Sequence, residues 1–198
     1  MSFVKPKLLF LSGNTGKLKE VCSILGESFD IVAKNIDLPE YQGEPREIVV
    51  EKCKAALSHC TKTEMQDFNG LLIEDTSLCF NAWGGMPGPY IKWFLKNSNN
   101  EILWRMLKDF DNKTAFAMCI FGFVQFNNHS SNPDITTFEG KIAGSIVSPR
   151  GCNNFGWDPI FQPDGYCKTF AELSPDIKNK ISHRHRALME LKTFLSNK

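Results

Sequence analysis

The sequence predicts a mixed α/β fold in which helices flank one long mixed sheet. Two kinds of segment alternate along the chain: short apolar runs, typical of buried strands, and stretches with apolar residues three and four positions apart, typical of helices. Two long apolar runs around residues 120 and 140 indicate neighbouring antiparallel strands. The 198 residues suffice for one large domain, and we expect a single domain over residues 1–198.

The first half of the chain contains three predicted strands and two predicted helices. The strands cover residues 7–12, 29–33 and 71–78. The apolar face of the first helix is formed by residues at helical spacing, Leu18, Val21, Cys22 and Leu25. Gly26 is expected to end this helix, and Pro45 suits the first turn of the second, which continues to about Cys60. The polar segment 63–70 is expected to be a linker.

The second half begins with a tight loop at residues 84–89, after which residues 90–96 and 101–107 are expected to be helical. The two long strands and the polar segment that joins them cover residues 115–126, 136–148 and 127–134, respectively. Residues 149–166, rich in Gly, Pro and aromatic side chains, are expected to form an irregular loop. The closing amphipathic helix has an apolar face of Ala187, Leu188, Leu191, Phe194 and Leu195.

Composition and charge exclude several classes of partner. The chain has 42% hydrophobic and 23% charged residues and a formal net charge of only +1, so we expect no broad basic surface for nucleic acid or an anionic membrane. No apolar run approaches the roughly 20 residues of a membrane span, and the N-terminal apolar stretch is too short for a signal peptide. The seven scattered cysteines form no Cys-x-x-Cys pair, which favours a reducing, cytoplasmic setting over a disulfide framework or zinc knuckle.

The segment Ser-Gly-Asn-Thr-Gly-Lys, residues 12–17, joins the first strand to the first helix. Glycines at such a junction often hold phosphate against the helix N-terminus. The P-loop pattern does not fit, because Gly13 and Gly16 are too close together and Leu18 replaces the magnesium-binding Ser or Thr. Phosphate could still bind to backbone N–H groups with the help of Ser12, Asn14 and Lys17. The alternative is a tight turn with a solvated lysine.

Lys52 and two acids of the third strand are further candidates. Lys52 lies within the apolar face of the second helix, so it must either reach the edge of that face or meet an anion. Glu74 and Asp75 lie near the carboxyl end of a strand, where alternation allows only one of them to point into a site. With the loop acids Glu40 or Glu44, two carboxylates would suffice for Mg²⁺; the alternative is solvated acids.

Two aromatic residues and one acid in the irregular loop could recognise a nucleobase. Phe155 and Trp157 could stack on a base, and Asp158 could accept a hydrogen bond from a base N–H. The alternative is that these aromatic rings pack into the core.

The start of the closing helix places basic residues where they are electrostatically disfavoured. Ser182 is the expected N-cap, so His183 and Arg184 fall in the first turn, at the positive end of the helix dipole. This placement is easier to understand if the two side chains hold a ligand atom between them. The alternative is that both are exposed and tolerate the cost.

Taken together, these segments resemble the inosine triphosphate pyrophosphatases, and most closely the eukaryotic members. The resemblance follows the chain in order through SGNTGKLKEV, DLPEYQGEP, KCKAA, IEDTSLCFNAWGGMPGPYIKWF, SPRGCNNFGWDPIFQPDGY and KNKISHRHRAL. The polar segment 127–134 lies outside the pattern, and Ser12 stands where many members have Thr, which keeps the hydroxyl.

The resemblance implies both a fold and a reaction. The implied fold is a long mixed sheet flanked by helices, in two lobes with an active-site cleft between them, in a protein that is usually a homodimer. The implied reaction is the Mg²⁺-dependent hydrolysis of noncanonical purine nucleoside triphosphates such as ITP, dITP and XTP. Cleavage between the α and β phosphates yields the nucleoside monophosphate and pyrophosphate, which cleans the nucleotide pool. A phosphotransferase and a nucleotide-binding regulatory module remain as alternatives.

The resemblance also implies a role for each matching residue. The expected triphosphate ligands are Ser12, Gly13, Asn14, Thr15, Gly16, Lys17 and Lys52. Glu40 and Asp75 would hold Mg²⁺, and Asp75 would also activate water, with Lys17 as a second catalytic residue. Thr76 would lie beside Asp75, and Lys92 would approach the nucleotide. The base would meet Phe155, Gly156, Trp157, Asp158, Lys178, His183 and Arg184.

Overall fold

A computed structural model describes residues 4–126 and 134–197. The strands are β1 (Lys7–Leu11), β2 (Asp30–Lys34), β3 (Gly70–Phe80), β4 (Pro87–Gly88), β5 (Thr114–Gln125), β6 (Ile135–Ile146) and β7 (Phe161–Pro163). The helices are α1 (Thr15–Leu25), α2 (Pro45–Leu57), α3 (Lys62–Asp67), α4 (Ile91–Asn97), α5 (Asn100–Arg105), α6 (Pro175–Ile181) and α7 (His183–Ser196). Single 3₁₀ turns occur at Asn81–Trp83 and Asp158–Ile160.

The strands form one mixed sheet, as the sequence predicts. Its order is β2-β1-β3-β5-β6-β7, and β4 pairs with β3 beside this path. Strand β1 runs parallel to both of its neighbours, with Leu9 opposite Val32 in β2 and opposite Leu71 in β3. Strands β6 and β7 are antiparallel. Ile146, the last residue of β6, donates its N–H to the carbonyl of Lys113 just before β5, at 2.9 Å, as expected for antiparallel neighbours.

The described residues group into two compact units. The first unit takes the residues up to Asp75, those from Ile120 to Glu139, and those from Ala187 onward. The second takes Thr76–Cys119 and Gly140–Arg186. The expectation of a single domain stays a prediction.

The first unit has a core between β1, β5 and α2. Leu8 to Leu11 of β1 are buried, and Phe10 packs against Phe121 of β5 with ring centroids 6.3 Å apart. Gly122 allows α2 to approach β5 closely, because an added Cβ there would meet the Sγ of Cys53 and lie 2.8 Å from the Cγ1 of Val49. The burial of Val49 and Cys53 confirms the predicted apolar face of the second helix.

The second unit has an aromatic core. Its buried cluster includes Phe80, Leu103, Trp157, Phe161 and Phe170. The ring centroids of Phe161 and Phe170 are 5.1 Å apart, and those of Trp157 and Phe161 are 5.5 Å apart with the rings edge to face, a favourable geometry for aromatic pairs.

Three sequence expectations need correction. Most of segment 63–70 is helix α3 and not a linker. Its capping box joins Thr61 and Glu64, and the pattern Thr-x-x-Glu is a sequence signal for a helix start. Cys22 is exposed, because α1 is fully buried only at Val21 and Leu25. The stretch 149–166 is not wholly irregular, since it contains a 3₁₀ turn and β7.

The remaining elements follow the predicted pattern with small shifts. Helix α2 ends at Leu57 rather than near Cys60. Helix α6 was not predicted, although Ser174 as N-cap and Pro175 in the first turn indicate a helix start. The predicted connection 127–134 lies outside the described residues except for Asp134. Within the described part of the chain, no helix has the length and apolar character that crossing a membrane requires.

Candidate active site

The loop after β1 is tightly held by its own side chains. The Oδ1 of Asn14 caps α1 by accepting the backbone N–H of Lys17 at 3.0 Å, and the N–H of Asn14 donates to the Oγ of Ser12 at 3.2 Å. An added Cβ at Gly13 would meet the Oδ1 of Asn35, so the side chain of Asn35 would have to move aside. The loop therefore ends in an ordered helix N-terminus whose first N–H groups suit an anion.

Lys17 does not extend into solvent, which was the alternative for this loop. Its Nζ lies 3.4 Å from the Oε1 of Glu74, whose side chain is only 1% exposed. Strand alternation predicted that one of Glu74 and Asp75 would face away from the site. Glu74 is buried against Lys17, which is one of the candidate phosphate-binding lysines.

Lys52 meets anions and does not extend to the helix edge. Its Nζ lies 2.8 Å from the Oε2 of Glu40 and 2.7 Å from the Oδ1 of Asp75. Burial alone would lower the pKa of Lys52, but the adjacent carboxylates of Asp75 and Glu40 raise it above its usual value. The ammonium therefore stays charged. We call Lys17, Glu40, Lys52, Glu74 and Asp75 the carboxylate–lysine cluster; all five belong to the first unit.

Asp75 is more basic than an ordinary aspartate. Burial is the largest influence and raises the pKa of its carboxyl, while the charges of Lys52 and Lys17 act in the opposite direction. A carboxylate with a raised pKa accepts a proton from water more readily. The carboxyl of Asp75 is therefore suited to act as a base.

The donor set of this cluster fits Mg²⁺. Among the residues that the structure describes, no group of three or more His, Cys, Asp or Glu is arranged to hold a metal ion. Glu40 and Asp75 nevertheless converge on a single ammonium, which brings two carboxylate oxygens to one place. Mg²⁺ uses one or two carboxylates and takes its other ligands from water and substrate phosphates. Glu44, the other loop candidate, instead begins helix α2 as its N-cap.

A second group of candidates lies in the second unit. We call Phe155, Asp158, Lys178, His183 and Arg184 the aromatic–basic cluster. Lys178 and Asp158 form an ion pair, and each side chain is only 4% exposed. The Nζ of Lys178 also lies 4.8 Å from the ring centroid of Phe155 and 5.3 Å from that of Phe170, within the range of cation–π attraction.

Trp157 belongs to the core of the second unit. It is 6% exposed and packs on Phe161, Phe170 and His183. Of the two aromatic candidates for base stacking, only Phe155 is partly exposed. The structure therefore favours Phe155 as the ring that can meet a ligand, whereas the core alternative holds for Trp157.

The basic residues at the start of α7 are buried, so the alternative of exposed basic residues is wrong. The Oγ of Ser182 accepts the N–H of His185 at 3.1 Å, which confirms the predicted N-cap. His183 is 2% exposed and Arg184 is 1% exposed. The guanidinium of Arg184 donates to the Oγ1 of Thr76 at 3.2 Å and lies 6.0 Å from the ring centroid of Phe155.

The local sequence does not indicate two features of these surroundings. Glu74 is a candidate but not as the partner of Lys17, and Phe170 is not a candidate. Nothing in the local sequence singles out Phe170, because its contacts come from distant parts of the chain. Of the remaining candidates, Lys92 is exposed on α4, and Gly156 adopts a positive φ of 59°.

The chain matches one protein family over most of its length. The sequence model of the Ham1 family matches residues 8–194. Among solved structures, the Ham1 protein of Staphylococcus aureus is 25% identical, with 96% of this chain and 98% of that chain aligned and a TM-score of 0.76. A HAM1 protein from Coxiella burnetii is 28% identical, with 98% and 100% aligned and a TM-score of 0.78.

A third similar structure is described by an activity. It is a nucleoside-triphosphatase, dITP/XTP pyrophosphatase, from Mycobacterium abscessus. It is 27% identical to this chain, 93% of this chain and 98% of that chain align, and the TM-score is 0.67.

Proposed function

Because the chain belongs to the Ham1 family, we propose that it hydrolyses noncanonical purine nucleoside triphosphates (ITP, dITP and XTP) to the nucleoside monophosphate and pyrophosphate. The similarity to a dITP/XTP pyrophosphatase over 93% of the chain supports this activity. The single observation that carries it is the carboxylate–lysine cluster, in which Lys52 bridges Glu40 and Asp75. This cluster combines the cations that a triphosphate needs with the acids that a metal and a reacting water need.

The phosphate-binding part of the proposal rests on the β1–α1 loop and two lysines. The N-terminus of α1 attracts anions through its N–H groups and its dipole. Lys17 and Lys52 add two positive charges. We expect Lys17→Ala and Lys52→Ala to weaken triphosphate binding more than monophosphate binding, because the monophosphate lacks the outer phosphates. Equal losses would indicate damaged folding or a role on the base side.

Mg²⁺ is the proposed cofactor, with Glu40 and Asp75 as its protein ligands. When bound, it neutralises the charge that develops on the pyrophosphate leaving group. Asp75 takes the proton of the attacking water as the bond between the α and β phosphates breaks. The position of Asp75, with its Oδ1 2.7 Å from the ammonium of the proposed phosphate ligand Lys52, supports this role. None of the seven cysteines is required as a nucleophile.

The base-binding part rests on the aromatic–basic cluster. Phe155 is the proposed stacking surface, and Arg184 is the proposed donor to the 6-keto oxygen of hypoxanthine or xanthine. The guanidinium of Arg has only hydrogen-bond donors, and the 6-amino group of adenine is also a donor, so the two groups cannot form a hydrogen bond. The buried guanidinium of Arg184, which already donates to Thr76, supports this choice because its position is fixed.

The proposal extends to a homodimer in the cytoplasm. The dimer is supported by the sequence resemblance alone, and light scattering of the purified protein tests it. The cytoplasmic setting is supported by seven free cysteines, three of them exposed. Fractionation of cells that express a tagged chain tests the location.

A pyrophosphate-release assay tests the activity. We expect Mg²⁺-dependent pyrophosphate release from ITP and XTP, and much slower release from ATP. Asp75→Asn keeps the shape but removes the charge, so turnover should fall by at least about 100-fold, the typical range for a lost general base. Near wild-type turnover of Asp75→Asn would exclude Asp75 as the catalytic carboxylate.

Glu74→Gln would not be a neutral control for this experiment. Because Glu74 contacts Lys17, its loss should weaken triphosphate binding while leaving proton transfer to Asp75 intact. The matched control is Glu51→Gln, since the side chain of Glu51 is half-exposed and pairs with Lys54, away from the carboxylate–lysine cluster.

A further inference from the structure

One ammonium occupies the place where both proposed metal ligands converge. The Nζ of Lys52 lies 2.8 Å from a Glu40 oxygen and 2.7 Å from an Asp75 oxygen. The side chains of Lys52 and Asp75 are 9% and 13% exposed, so solvent screens this bridge weakly. By contrast, Lys17 pairs with Glu74, which is not a proposed metal ligand.

We propose that Lys52 acts as a stand-in cation: in the nucleotide-free protein its ammonium holds Glu40 and Asp75, and a divalent cation binds these carboxylates only after the ammonium has moved away. This inference rests on the proposed function, because the triphosphate is the anion that receives the displaced ammonium. It assigns Lys52 a regulatory role in addition to phosphate binding.

Electrostatics and geometry make the two cations mutually exclusive. A Mg²⁺ ion approaches its oxygen ligands to about 2.0–2.1 Å. The ammonium contacts the same two carboxylates at 2.8 Å and 2.7 Å, so both cations together would place like charges in direct contact. Without any cation, two partly buried carboxylates would repel each other at considerable cost. Lys52 removes that cost and reduces the net charge of the trio from −2 to −1.

The side chain of Lys52 can make the required movement. Lysine carries its charge on a flexible four-carbon stem and has three donors, so it can hold two carboxylates in one state and phosphate oxygens in another. Its backbone lies in the interior of α2, well away from the helix ends, and need not move. Nucleotide binding and metal binding therefore support each other, and metal alone binds weakly.

Binding of Mn²⁺ alone, in the absence of nucleotide, tests the proposal. Free Mn²⁺ is followed by its electron paramagnetic resonance signal during titration of the protein. Lys52→Met should bind Mn²⁺ at least about tenfold more tightly than the wild type. Lys54→Met is the matched control, because it removes a positive charge from the exposed face of the same helix, and it should change the affinity less than about twofold.

Two further variants keep the test decisive. Lys52→Gln should show the same gain if Lys52→Met does not fold, and the gain should disappear in Lys52→Met/Glu40→Gln, which lacks one ligand. If neither Lys52 variant binds Mn²⁺ more tightly than the wild type, the proposal is wrong. Pyrophosphate release by the wild type is measured separately. Hydrolysis without a gain in Mn²⁺ affinity overturns this inference alone, whereas a gain without hydrolysis overturns the proposed function.

Discussion

The buried ion pair between Lys178 and Asp158 allows a structural role to be separated from a role in base binding. Both side chains are 4% exposed, and the ammonium of Lys178 contacts the rings of both Phe155 and Phe170. Lys178→Met removes the ammonium and leaves the Asp158 carboxylate buried among aromatic side chains. Asp158→Asn removes the opposite charge. The double variant Lys178→Met/Asp158→Asn removes both charges.

The expected magnitude follows from the burial of the pair. Breaking a buried pair by removing one partner typically costs about 3–5 kcal/mol of unfolding free energy. For a chain of this size, 1 kcal/mol corresponds to roughly 2–4 °C, so each single variant should lower the melting temperature by about 6–20 °C. The double variant should lose clearly less than the sum of the two single variants, because it leaves no isolated charge.

Urea unfolding of the four proteins, together with pyrophosphate release from ITP, decides between the roles. If the pair also binds the base, the double variant should recover stability while its kcat/KM for ITP stays low. Recovery of both the stability and the kcat/KM for ITP would show that the pair has only a structural role. A loss below about 1 kcal/mol in either single variant would contradict the reasoning, since an exposed pair contributes only that much.

Three further predictions concern packing, pH and base choice. Gly122→Ala should destabilise the protein by about 1–3 kcal/mol through overpacking against Cys53, and the loss measured by urea unfolding should shrink in a Cys53→Ala background; an equal loss in both backgrounds would place the clash elsewhere. Burial lowers the pKa of His185 in the folded protein below its usual 6.5. The imidazole is therefore protonated at a higher pH in the unfolded chain than in the folded protein. Stability is lost as the pH falls below about 6.5 and through the folded pKa. The stability difference between pH 7.5 and 5.5 should therefore be smaller in His185→Gln than in the wild type, and an unchanged difference would exclude this residue as its source. Arg184→Ala should lower the ratio of kcat/KM for ITP over ATP by at least about tenfold, mainly through the ITP rate, since a site built for a hydrogen bond discriminates strongly; an unchanged ratio would mean that base selection lies elsewhere.

Local sequence patterns predicted the elements that position the site. The sequence predicts β1, the glycine loop and α1, because each of these elements depends on residues close together in the chain. The same holds for Ser182 as the N-cap of α7. The capping box that begins α3 is equally local, since it joins Thr61 and Glu64.

Pairings across the chain could not be predicted in the same way. Arg184 and Thr76 are 108 positions apart, and no local pattern records that they form a hydrogen bond. The pairing of Lys17 with Glu74 also joins distant parts of the chain, and strand alternation alone does not indicate which cation an acid of β3 will meet. The core position of Trp157 depends on β7 and α7, which the sequence does not connect to it.

The identity of the phosphate product tests whether the protein cleaves ITP between its α and β phosphates. Phosphorus NMR of a reaction with ITP, Mg²⁺ and the purified protein distinguishes pyrophosphate, orthophosphate and inosine diphosphate in one spectrum. We expect equal amounts of pyrophosphate and inosine monophosphate, with Asp75→Asn producing neither on the same timescale. Orthophosphate with inosine diphosphate, or no turnover of ITP, would contradict the proposed activity.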